Sequence, residues 1–141
     1  MENEKKFCLA CLETVKENII KGRKPIYNPI CMLGLSEEKR YELICSVFDK
    51  EFKKLHTIKY ISCEEIKIEE EFDCNKELIM IENIELSVGN SKLQEKIANI
   101  INDCLENNTQ MILCSNENIE DLILEEHIKC RLKWGLSLYL K

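Results

Sequence analysis

Three short stretches of this 141-residue chain hold residue types whose spacing could do chemistry. The first is Gly34-Leu-Ser-Glu-Glu-Lys-Arg40. It follows the apolar run Ile30–Leu33 and precedes a helical pattern with Leu43, Ile44, Val47, Phe48 and Phe52 on one face. A strand, a glycine turn and a helix start form the setting in which backbone N–H groups hold phosphate. A working loop of the form Gly-x-x-x-x-Gly-Lys-Ser/Thr turns amides toward the phosphates with its glycines. Its lysine meets their charge, and its hydroxyl helps hold Mg²⁺. Here only Gly34 remains. Lys39 falls near the lysine position if the loop is about one residue shorter than that pattern. Arg40 stands where the hydroxyl belongs and cannot ligate a cation. Glu37 and Glu38 suit a helix N-terminus but repel phosphate. The expectation is a short turn capped by Ser36 and closed by Glu37 and Glu38, with no phosphate in it. Residual triphosphate binding through Lys39 is the alternative.

The second stretch, Glu82-Asn-Ile-Glu85, follows an apolar strand. Acids at such a place hold metal and activate water in nucleotide hydrolases. Glu82 could coordinate a metal, or simply end a strand; Asn83 cannot be a general base. The third is His127-Ile-Lys-Cys-Arg131. Arg131 could reach a neighbour's carboxylate or phosphate bidentately, or serve as a cation matched to a helix C-terminus. His56 and His127 have no Ser, Cys or acidic partner at a telling position, so no triad is assigned. Cys8-Leu-Ala-Cys11 is a lone CxxC with no second pair to complete a zinc site. The nine cysteines are odd in number, scattered, and read as reduced core thiols. The acids between Cys63 and Lys76 could bind a hard cation but read as a solvated loop. No catalytic residue, metal site or cofactor is expected.

These stretches need elements to hold them. Phe7, Cys8, Cys11, Leu12, Val15 and Ile19 predict a helix over 4–21, stopped by Gly22. Pro25 and Pro29 lead into the strand Ile30–Leu33. One helix is expected from about Ser36 to Leu55, then a strand at Thr57–Ser62 rich in β-branched residues. Glu77–Glu82 is nearly continuous in apolar character, as a strand covered on both faces should be. Ser91 and Gln94 read as a capping box opening a helix that turns Leu93, Ile97, Ile100, Ile101, Cys104 and Leu105 inward. Asn107-Asn108 end it, and Gln110–Ser115 forms the next buried strand. Asn118 is expected to cap a helix carrying Ile119, Leu122, Ile123, Ile128 and Leu132. Trp134-Gly135 turns the chain into a last strand, Leu136–Leu140. The alternation predicts an α/β fold: about five parallel strands with helices on both faces, and any ligand beyond the strands' carboxyl ends.

The net charge is −6, and the one basic cluster, Lys21-Gly-Arg-Lys24, reads as a solvated helix end. General nucleic-acid binding is disfavoured, since phosphate contacts need clustered cations. No apolar run reaches the ~20 residues of a membrane span, and the N-terminus is too polar for a signal peptide. A single cytoplasmic domain over 1–141 is expected.

In this order the stretches resemble the nucleotide-binding core of the bacterial replication initiator DnaA family, within the AAA+ ATPases. Tyr27-Asn-Pro-Ile-Cys-Met-Leu-Gly34 is similar to the family's lead-in to its phosphate loop. Tyr60-Ile-Ser-Cys-Glu-Glu65 and Leu78-Ile-Met-Ile-Glu-Asn-Ile84 are similar to two of its strand ends. Ile112-Leu-Cys-Ser-Asn116 resembles its sensor strand, and Arg131-Leu-Lys-Trp-Gly-Leu136 its arginine-finger segment. The resemblance implies a three-layer, P-loop NTPase-like AAA+ core. It places Gly34, Lys39, Glu82, Asn83 and Asn116 in a degenerate nucleotide site and makes Arg131 an interaction residue. The connection between Glu65 and Leu78 is short where the family carries single-strand-binding helices. The resemblance further implies a core without the family's helical lid, which would begin after Lys141, and without its duplex-binding domain. The function implied is a non-catalytic pseudo-ATPase that docks on an AAA+ partner, most simply the initiator itself, and regulates replication initiation. A residual nucleotide switch and a DNA-binding or helicase-loading accessory are the alternatives.

Overall fold

Alternation sorts the strands. In β1 (Ile30–Leu33), Ile30 and Met32 face one side of the sheet while Cys31 and Leu33 face the other. β3 (Leu78–Glu82) and β4 (Gln110–Ser115) are buried at every position, as parallel strands covered on both faces must be. With β2 (Ile58–Ser62) and β5 (Leu136–Tyr139) they form one five-stranded sheet in the order β2-β3-β4-β1-β5. Every pair is parallel. The computed structural model describes residues 2–141, with side chains from residue 3 onward.

Helices cover both faces. α1 (Glu2–Ile20), α2 (Glu37–Val47) and α3 (Lys50–Leu55) bury Cys8, Leu12, Val15, Leu43, Ile44 and Phe52 against Ile30, Met32, Met80 and Ile112. α4 (Ser91–Glu106) and α5 (Glu126–Leu132) bury Ile97, Ile101, Ile128 and Leu132 against Cys31, Ile79, Ile81 and Leu113. The expected three-layer α/β core is present. Among the described residues no helix is long and apolar enough to cross a membrane.

Local chemistry corrects several boundaries. The helix expected from Ser36 to Leu55 is two. α2 ends at Phe48, and the Asp49 side chain accepts from Phe52 N–H at 3.0 Å to start α3. The capping box expected at Ser91 does not form: Asn90 caps α4 by accepting from Leu93 N–H. Gln94 instead donates to Ser87 O and accepts from Glu125 N–H, tying the β3–α4 and β4–α5 connections to α4. The helix expected from Asn118 is a 3-10 turn at Ile119–Asp121 followed, after an irregular stretch, by α5. Ile123 lies in that stretch and is 85% exposed, and Phe7 on α1 is exposed too, so neither joins the core as expected. Residues 66–77 form no helix or strand.

Candidate functional site

The carboxyl ends of β1, β3 and β4 meet at the loop that follows β1. Gly34 takes a φ of +98° and donates its N–H to Ser115 O at 2.9 Å. A Cβ there would lie 1.9 Å from Leu140 O. The glycine is therefore required by the close approach of the last strand's backbone, whatever else it does. Leu35 follows at φ +60°, a conformation that costs a branched residue roughly 1 kcal/mol or more. Ser36 then caps α2, its Oγ accepting from Lys39 N–H.

These two left-handed residues point the Gly34 and Leu35 carbonyls inward, and Arg40 meets them. Its Nη1 donates to both oxygens at 2.9 Å. Its Nε and Nη2 grip the Glu82 carboxylate at 3.1 and 2.5 Å. Both side chains are fully buried. Burial works to lower the guanidinium's pKa, but the hydrogen bonds and charge of Glu82 outweigh it and hold it above the ordinary arginine value. Asn83 N–H adds a further bond to Glu82 at 2.9 Å. Behind it, burial and then the Glu82 charge push the Cys114 thiol far up, keeping it protonated. The Tyr60 hydroxyl nearby is buried with no hydrogen-bond partner, and burial followed by Glu82 raises its pKa.

Asn83 sits at φ +62°, with Nδ2 donating to Glu37 Oε1 and to Ser62 Oγ. The turn is thus capped by Ser36 as expected, but its closure differs. Glu37 binds Asn83, Glu38 is exposed, and Arg40 is the residue that fills the centre. Lys39 does not join Glu82. It lines a groove of about 460 Å³ between α1 and α2, with Lys5, Leu9, Leu35, Leu43 and Leu140. Asn116 is exposed, and its backbone N–H donates to Glu85 Oε1. So Gly34, Glu82 and Asn83 converge, Asn116 lies at the rim, and Lys39 faces elsewhere.

Arg131 belongs to the opposite edge. α5 ends where β5 begins, and Leu136 N–H donates to Pro29 O at the amino ends of the strands. Its guanidinium bonds Asn102 Oδ1 and His127 O and stacks on Trp134. Both histidines have acidic neighbours that sequence spacing hid. His56 Nδ1 lies 3.1 Å from Glu77, which also accepts from Thr57 N–H and so closes the start of β2. His127 pairs with Glu125 at the start of α5. Among the described residues no group of three or more His, Cys, Asp or Glu is placed to hold a metal ion.

A family model described as the bacterial DnaA ATPase domain matches residues 35–139. The chain belongs to the bacterial DnaA ATPase-domain family. The chromosomal replication initiator protein DnaA of Rickettsia massiliae (strain Mtu5) is 34% identical over 61 residues, which are 43% of this chain and 13% of that protein. The match thus spans about an eighth of that relative's length. Among solved structures, domain III of the Thermotoga maritima replication initiation protein DnaA superposes with a TM-score of 0.77 at 18% identity. That overlay covers 96% of this chain and 62% of that one. AMPPCP-bound DnaA from Aquifex aeolicus gives 0.73 at 18%, over 92% and 45% of the two chains. In this DnaA-family core the locus where Gly34, Arg40, Glu82 and Asn83 meet is an ion-paired plug at the carboxyl ends of the strands.

Proposed function

We propose that this chain is a non-catalytic DnaA-family core acting as a protein-interaction module in replication initiation. It docks on an AAA+ partner, most simply an initiator of its own family, through the face that carries Arg131. The observation behind this reading is the Arg40 plug. A magnesium nucleotide needs inward-facing amides, an available carboxylate and a hydroxyl. This loop turns two carbonyls inward, its acid is already paired, and an arginine stands at the hydroxyl position. The residues present do not fit the nucleotide, so no hydrolytic step is assigned to them. The −6 net charge and the short irregular connection 66–77 support a protein partner over a nucleic acid.

Two measurements test it. Thermal unfolding with millimolar Mg-ATP or Mg-ADP should leave the midpoint unchanged. A ligand at a hundredfold excess over its Kd would add ~2.7 kcal/mol of apparent stability, and a saturable shift of that size would overturn the reading. In a titration against an AMPPCP-loaded initiator, the chain should bind and Arg131→Ala should lose most of the affinity. No binding, or binding indifferent to Arg131, rejects the docking role.

A further inference from the structure

Arg131 is one of the longest and most mobile side chain types, yet three groups hold it. Nε donates to Asn102 Oδ1 of α4 at 3.0 Å. Nη1 donates to His127 O, one turn back in its own helix. The guanidinium carbon lies 5.3 Å from the Trp134 ring centroid, within cation–π range. Neither hydrogen bond uses Nη2. The indole is 52% exposed, so the cradle opens to solvent. A free arginine loses rotamer entropy when a partner immobilises it, and an arginine fixed beforehand loses less. Arg and Trp are also the residue types that dominate binding energy at protein interfaces.

We infer that Asn102 and Trp134 are positioning residues that pre-set Arg131 to receive an anionic oxygen of the docking partner. This inference rests on the docking role proposed for Arg131. The chemistry it selects is a phosphate or carboxylate oxygen pair, which the outer edge of a guanidinium meets in its own plane. The two sources are a nucleotide phosphate held by the partner and a carboxylate of the partner itself.

Trp134 is the single tryptophan of the chain and reports directly on the cradle. Its quenching by iodide relative to caesium measures local charge, because a nearby cation enriches the anion and repels the cation. Arg131→Ala should lower that ratio roughly twofold or more. Asn102→Leu should lower it in the same direction, and Asn102→Gln, which keeps a neutral amide acceptor, should not. A wild-type ratio in Asn102→Leu would overturn the inference without reference to any partner. In the second arm, Asn102→Leu and Trp134→Leu should weaken binding to the AMPPCP-loaded initiator roughly 2- to 10-fold with the urea midpoint unchanged, and Asn102→Gln, which keeps a neutral acceptor, should restore part of the loss. Unchanged affinity in Asn102→Leu also overturns it. Equal affinity for nucleotide-free and AMPPCP-loaded initiator identifies a carboxylate as the oxygen source; a requirement for AMPPCP identifies the phosphate. Absence of wild-type binding removes the docking role and the positioning role with it, while the quenching ratio still decides whether the cradle exists.

Discussion

At the scale of single residues, Arg40 and Glu82 decide what the loop after β1 can do. The guanidinium occupies the space beside a fully buried carboxylate and also satisfies two carbonyls that would otherwise be orphaned. Removing one member of a buried pair leaves the other uncompensated, which costs about 3–5 kcal/mol. Arg40→Ala should therefore lower unfolding stability by about that amount in urea titrations. The double replacement Arg40→Met with Glu82→Leu should be far milder, since apolar side chains can replace a buried pair at little net cost. The two exposed carbonyls set a floor of about 1 kcal/mol for the double variant. A loss below 1 kcal/mol for Arg40→Ala would mean that the pair does not form. Each half of this plug was visible in the sequence: an arginine where a hydroxyl belongs, and an acid at the end of a buried strand. Their contact was not, because 42 positions separate them and only the strand order brings β3 beside the loop. A cation in place of a neutral hydroxyl, together with a retained acid, was the available signal.

At the scale of elements, periodicity located all five strands and the buried faces of α2 and α4, because burial on both sides leaves a continuous apolar record. It failed where caps compete. Ser91 and Asn90 are adjacent candidates, and the backbone entering from Gly89 at φ +82° gives the cap to Asn90. Asp49 is hidden inside an apparently continuous pattern, since Phe48 and Phe52 keep the helical spacing across the break. Its carboxylate makes the break testable. The Phe52 N–H bond holds the Asp49 pKa below the ordinary aspartate value, against a smaller opposing effect of burial. A group whose pKa is lowered by folding stabilises the fold above its unfolded value, near 4, and ceases to do so as pH falls through the folded value. Asp49→Ala should then be destabilising at pH 6–7, and the gap from wild type should narrow as pH drops from about 5 toward 3. A gap that is constant across that range would show that the ionised cap is not what starts α3.

At the scale of the whole molecule, the two apolar layers seal the sheet on both faces, and the cysteines record how well. Cys8, Cys31, Cys63, Cys74, Cys104 and Cys114 are buried, Cys11 and Cys45 are half-buried, and Cys130 is exposed. The buried six divide between the two layers, with Cys8 and Cys114 on the α1–α2 side and the other four on the α4–α5 side. Burial pushes the Cys31 thiol up to about 12 and Cys8, with help from Cys11, to about 11. Burial, followed by the charge of Glu85, takes Cys63 to about 12. Only thiolates attack a disulfide reagent, so at pH 8 these sites are protected twice, by exclusion and by protonation. Titration of the native protein with an aromatic disulfide should accordingly show one fast thiol, lost in Cys130→Ser, and a slower pair. The remaining six should react only at the rate of global unfolding and all together, since each layer packs on the same sheet. If the four thiols of the α4–α5 layer reacted ahead of Cys8 and Cys114, the layers would open separately, and the sheet would not bind them into a single cooperative unit.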